Sequence, residues 1–185
     1  STIAAFSSSR SGMQSPDELI CLSYCSRASF NPAPRSGGVD PEVNRILVES
    51  RRNNRKRDVG GVLHFGEGCF FQYLEGPADT VDALYAHICR DERHYDVQRL
   101  TRRPIASRRF EDWSMKFVAI ESVVAEVLRR HDLPRFDPYQ FTPAIIDDLV
   151  VSCIHPPDRA PDAVPEAPYG QRRPRRSLWR RLVGG

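Results

Sequence analysis

Residues 59–65 and 69–74 are two apolar, aromatic-rich runs, separated only by Gly66-Glu67-Gly68. That spacing strongly favours one local solution, a pair of antiparallel strands joined by a tight turn whose glycines admit positive φ. A lone hairpin cannot bury its own apolar face, so the flanking sequence has to supply more layers. Upstream, residues 19–24 form a short apolar run that alternates near its end and reads as a strand. Asp40-Pro41 is a helix start, because Asp caps free N–H groups and Pro fits the first helical position. Val43, Ile46, Leu47 and Ser50 then recur at helical spacing, which turns Arg51, Arg52 and Arg55 outward. Downstream, Glu75-Gly76-Pro77 closes the hairpin and opens a second helix with Val81, Leu84, Tyr85 and Ile88 as its stripe. Residues 97–100 and 113–120 read as fourth and fifth strands.

The resulting order, β-α-β-β-α-β-β, is an α+β, ferredoxin-like pattern with one extra strand and two helices on one face of a mixed sheet. Short C-terminal helices follow. One covers residues 123–130, and another starts at Thr142-Pro143 with Ile145, Ile146, Leu149 and Val150 apolar. Their apolar faces suit the sheet's open side, and the same surface suits a second copy of the chain. At 185 residues, 40% of them hydrophobic, the chain has room for one domain with a true core plus extensions. The organisation expected is a disordered leader over 1–16, a domain over 17–120, a helical extension over 121–154 and a disordered tail over 155–185.

Charge is unevenly distributed. Residues 155–185 hold seven arginines, three acidic residues and six prolines, which leaves the rest of the chain near neutral. Within that tail Leu178, Trp179 and Leu182 fall at helical spacing among arginines. A neutral body is not the profile of a domain whose whole face grips phosphates. No apolar run approaches the roughly 18 residues of a membrane span. The five cysteines make an odd set without a C-x-x-C pair, which argues for a reducing, cytoplasmic setting.

Conventional catalytic signatures are missing from the sequence. No cysteine has a base in a recognisable local motif, His87 and His94 lack metal-ligand spacing, and there is neither a Walker loop nor G-x-G-x-x-G. What stands out is polar groups where strand logic wants apolar ones: Gln72 inside the third strand, Tyr24 at the end of the first, and Asn53-Asn54 closing the first helix. An edge amide, a half-buried phenol and a C-cap account for each one separately. A flat ligand bearing donors and acceptors accounts for them together, since a buried amide and phenol must find partners.

The sequence here resembles the BLUF domain, a flavin-binding blue-light sensor. The resemblance rests on Glu18-Leu-Ile-Cys-Leu-Ser-Tyr-Cys-Ser-Arg27, Asn53-Asn54 before Val59-Gly-Gly-Val-Leu63, and Gly68-Cys-Phe-Phe-Gln-Tyr-Leu-Glu-Gly76. It continues through Ile88-Cys-Arg-Asp-Glu-Arg-His94 and Pro104-Ile-Ala-Ser-Arg-Arg-Phe-Glu-Asp-Trp-Ser-Met115. It implies that 17–120 is a flavin-binding domain carrying FAD, with FMN or riboflavin fitting the same ring site. It implies that Tyr24 is the photoactive tyrosine, that Gln72 bridges it to the flavin, and that Asn54 holds the pyrimidine edge. Ile46 would flank the ring, while Asn53, Asp91, Arg93 and His94 would contact the ribityl chain and phosphate. Trp113 and Met115 fall on the pair that competes to approach Gln72 and relays the signal. The loop over 28–39 is longer and richer in Pro and Gly than the family's usual one.

The resemblance further implies a photosensor with no effector enzyme, in which proton-coupled electron transfer from Tyr24 rearranges the Gln72 hydrogen bonds and a separate signalling protein reads the change. Two other readings stay open at this point. One is a small ferredoxin-like enzyme of the acylphosphatase kind; the other is a nucleic-acid or anionic-membrane binder acting through the basic tail.

Overall fold

The computed structural model describes residues 18–31, 39–110, 115–117 and 121–155. The predicted leader, most of the Pro/Gly loop, Trp113, the outer parts of the fifth strand and the basic tail with Leu178, Trp179 and Leu182 lie outside the described residues. Strand β1 (Leu19–Ala28) leads to helix α1 (Pro41–Lys56), the hairpin β2 (Gly60–Gly66) and β3 (Cys69–Pro77), helix α2 (Ala78–Ile88) and strand β4 (His94–Pro104). A two-residue strand β5 (Lys116–Phe117) and helices α3 (Glu121–Arg130) and α4 (Pro143–Ile154) complete the order. The strands lie as β4-β1-β3-β2-β5; the first three contacts are antiparallel and β5 runs parallel to β2. This is the α+β, ferredoxin-like arrangement expected from the element order.

Local chemistry accounts for the element ends. Asp40 accepts the N–H groups of Glu42 and Val43 at 2.8 and 3.3 Å, with Pro41 in the first turn behind it. Thr142 caps α4 in the same way through the N–H of Ile145. At the hairpin tip Glu67 and Gly68 both take positive φ, 50° and 73°, as a two-residue turn matched to strand twist requires.

Strand alternation divides the interior into two layers. Ile20, Leu22, Tyr24, Leu63, Phe70 and Leu74 face Val43, Ile46 and Leu47 of α1 and Val81 and Leu84 of α2. Cys21, Val62, Phe71 and Tyr73 point the other way, into Val123, Val124 and Val127 of α3 and Ile145, Ile146, Leu149 and Val150 of α4. The C-terminal helices thus cover the sheet's second face. Each fully buried aliphatic side chain contributes roughly 1.5–3 kcal/mol relative to exposure.

Several boundaries differ from the sequence reading. Strand β1 continues to Ala28, since Ser23 bonds Thr101 at 2.6 Å and Ser26 bonds His94 at 2.9 Å, so its polar residues are satisfied within the sheet. Strand β4 spans 11 residues rather than the four, 97–100, read from sequence. It is an edge strand, and register shifts against β1 between Ser23 and Tyr24 and between Cys25 and Arg27 break its alternation. Helix α1 runs past Asn54 to Lys56, with Arg57 as its cap, so Asn54 is no C-cap.

The close approach of β2 to β3 leaves one position without room. A Cβ added at Gly61 would lie 2.1 Å from the Tyr73 carbonyl oxygen, a main-chain atom that cannot move aside alone. Gly61→Ala is expected to destabilise the fold by about 3 kcal/mol, read from the urea unfolding midpoint; an unchanged midpoint would contradict this packing.

Candidate functional site

The site begins with strand register. Tyr24 of β1 stands directly opposite Gln72 of β3, so both side chains leave the sheet on the α1/α2 face. They are 1% and 3% exposed, and the Tyr24 hydroxyl donates a short hydrogen bond to Gln72 Oε1. Gln72 Nε2 in turn donates to the thioether of Met115 at 3.5 Å. Met115, which meets the amide, is 1% exposed and directly precedes β5; Trp113 lies outside the described residues. Its carbonyl oxygen accepts from Arg51 Nε at 3.0 Å.

Burial sets the acidity of this pair. Desolvation raises the Tyr24 phenol pKa far above the ordinary tyrosine value, and the thiol of Cys89 and the carboxylate of Asp91 add to the rise. The phenol is therefore neutral at any physiological pH, and its proton stays committed to Gln72. The Tyr24 ring also touches Tyr85 of α2, with centroids 5.6 Å apart.

Helix α1 contributes Ile46, buried beside Tyr24, and Asn54, a carboxamide 1% exposed on the same inward side, while Asn53 is half-buried. The Asn54 carbonyl accepts the N–H groups of Arg57 and Val59, both at 3.0 Å, which ties the helix end to the start of β2. Arg51 is not an outward residue as the sequence reading had it. It lies four positions after Leu47 and three before Asn54, on the inward side, and is half-buried where it reaches Met115.

Beyond α2 the chain turns through Asp91, Arg93 and His94. Arg93 forks onto Asp91 with Nε–Oδ1 2.9 Å and Nη2–Oδ2 2.6 Å, and its third nitrogen holds Glu49 of α1 at 2.8 Å. This guanidinium lowers the Asp91 pKa to about 2. His94 bonds Ser26 Oγ through Nδ1 and packs on Phe70 with centroids 4.7 Å apart; burial lowers its pKa. His94 is the first residue of β4 rather than part of a helix end. The fold thus joins Tyr24, Gln72 and Met115 in one contact chain and Asp91 and Arg93 in a second. The sequence reading did not single out Arg51, Glu49 or Ser26 as site residues and took Tyr85 only as helix stripe. For Tyr85 helical spacing carried the signal, whereas the inward turn of Arg51 depends on where the fold places Met115.

Comparisons with known proteins follow the same residues. The model of a family described as sensors of blue light using FAD matches residues 19–116. A blue light- and temperature-regulated antirepressor from Escherichia coli (strain K12) is 38% identical over 69 residues, covering 37% of this chain and 17% of that protein. The photoactivated adenylate cyclase subunit beta of Euglena longa is 32% identical over 122 residues, 66% of this chain and 14% of that protein. The chain therefore spans less than a fifth of the length of these two curated relatives. The dark-state structure of BlrB, a BLUF protein, aligns with a TM-score of 0.60 and 30% identity over 76% of this chain and 98% of that one. Among the described residues no helix is long and apolar enough to cross a membrane.

The Asp91 pKa gives a pH signature. Its carboxylate titrates near 3.9 when unfolded and about 2 when folded, so its stabilisation is present above pH ~4 and is lost as pH falls toward 2. Solvent screening at this partly exposed pair holds the contribution to ~1 kcal/mol. Asp91→Asn is expected to flatten that part of the acid limb when unfolding free energy is followed from pH 5 to 2; an identical acid limb would contradict the pairing.

Proposed function

The chain belongs to the BLUF family of flavin-based blue-light sensors, and on that premise we propose that Tyr24 and Gln72 are its photoactive pair and that FAD is the flavin form it uses. The chemistry of the donor set fits the ring. An isoalloxazine edge offers acceptors and one N–H donor, and the residues here offer two buried carboxamides, Gln72 and Asn54, with the aliphatic Ile46 beside them. In this reading Asn54 holds the pyrimidine edge. Asn53, Asp91, Arg93 and His94 line the ribityl and phosphate end, with Arg93 as the cation suited to phosphate. When bound, the flavin supplies the blue-light absorption and the capacity to accept an electron.

The chain's own groups do the rest. A buried neutral phenol cannot ionise by itself, so Tyr24 loses its proton only together with an electron, and Gln72 Oε1 already accepts that hydrogen. Gln72 carries two N–H donors on one side of its amide and an acceptor on the other, so one group supports two hydrogen-bond patterns. Return of the electron and proton to Tyr24 would leave the Gln72 amide rearranged, so that it would present a changed set of donors and acceptors to a bound ring. The observation that carries this reading is the buried, in-register Tyr24–Gln72 hydrogen bond.

The role proposed is that of a cytoplasmic photosensor rather than an enzyme, signalling through Met115 and Trp113 to a separate protein. Family membership leaves the acylphosphatase-like alternative without support. Purified protein is expected to be yellow and to show a reversible red shift under blue light. Tyr24→Phe and Gln72→Leu are each expected to retain flavin absorbance and lose the shift in a dark-minus-lit spectrum. A wild-type shift in either variant would remove that residue from the pair.

A further inference from the structure

Resting on the light-sensing reading above, we propose that Arg51 is a positioning residue for the photocycle: it holds the main chain of Met115 so that the thioether stays against the Gln72 amide, and thereby sets how fast the dark state returns.

Met115 is buried in the α1/α2 layer, and its main chain is held from α1. Strand β5 follows it immediately and, among the described residues, pairs with β2 at Val62↔Lys116 and Leu63↔Phe117. Leu63 is also the β2 partner of Gln72, so the amide and β5 flank one residue. The Arg51 Nε–Met115 carbonyl bond of 3.0 Å adds an anchor from a different element, α1. The residue type suits the task, because a guanidinium keeps its charge, reaches across on a long stem and donates in a fixed plane. Arg51 lies one helical turn from both Leu47 and Asn54, so helix packing fixes where its stem begins.

The Met115 contact is one-sided. Gln72 Nε2 has hydrogens to give the sulfur, which accepts them weakly. An amide turned to bring Oε1 to that sulfur finds no hydrogen there. The contact therefore favours the orientation found here, in which Tyr24 bonds Oε1, and that orientation is taken as the dark one. Freeing Met115 removes that preference and slows the return from light.

The experiment uses the full flavin-bound chain with Arg51→Gln, Arg51→Lys, Met115→Leu and the double variant Arg51→Gln/Met115→Leu; Arg51→Met, which keeps much of the stem and drops the donor, replaces Arg51→Gln if that variant does not fold. Dark return is timed by absorbance after a blue flash, and hydrogen exchange at the Lys116 and Phe117 amides is measured without light. Arg51→Gln is expected to keep the red shift, return about three- to fivefold more slowly and exchange faster at both amides. Arg51→Lys is expected to stay near wild type, and the double variant to be no slower than Met115→Leu, because Arg51 acts through Met115. Wild-type return and exchange in Arg51→Gln, faster return, or additive slowing in the double variant would each overturn the assignment. A wild-type chain that binds flavin yet shows no light-induced shift overturns the photoactive reading itself and this proposal with it.

Discussion

A phenol and a carboxamide facing each other in the dry interior of a sheet constrain everything around them. Neither tolerates burial without a partner, and the nearest one is across the strand gap. Their hydrogen bond is compatible with one register of β1 against β3, and that register runs unbroken from Leu19↔Pro77 to Arg27↔Cys69. A slip of a single residue would turn Gln72 toward α3 and α4 and leave Tyr24 opposite a phenylalanine or a second tyrosine. The tight Glu67–Gly68 turn fixes the next contact, β2 on β3, so the pair and the hairpin specify the same sheet.

Around this dry centre the polar groups are graded. At the far end of α2, Arg93 spans Asp91 and Glu49, joining the turn before β4 to α1 through charge-assisted bonds that water partly reaches. Between the two zones His94 is half in each, bonded to Ser26 yet packed on Phe70 and held neutral more easily than an exposed histidine. The polar groups thus run from amides in a dry interior to an ionic cluster between α1 and the turn before β4.

The hairpin and the capped starts of α1 and α4 could be read from residues because each rests on local chemistry: Asp40-Pro41, Thr142-Pro143 and the glycine turn announce themselves. Tyr24 and Gln72 were legible as misfits, polar groups in apolar strands. Strand β4 was legible only at its middle, since an edge strand with two register shifts has no period to follow. Arg51 was read as solvent-facing because arginines at a helix end usually are; only the tertiary position of Met115 gives it an inward partner. Asn54 was legible as a polar residue near a helix end, but its burial inside the last turn depends on β2 folding back against α1.

Strand β3 also carries Glu75, whose buried carboxylate takes the N–H groups of Arg109 and Phe110 at 2.7 and 2.5 Å and the hydroxyl of Tyr73 at 3.3 Å. Glu75 and Gln72 leave the strand on opposite faces, three residues and roughly 10 Å apart. The strand therefore behaves as a ruler with one mark per side: the first sets where the amide meets its phenol, the second where the chain departs on its way back to Met115. Inserting or deleting a single residue between the marks would flip one relative to the other. Divergence in this stretch should then proceed by exchanging side chains while its length stays constant.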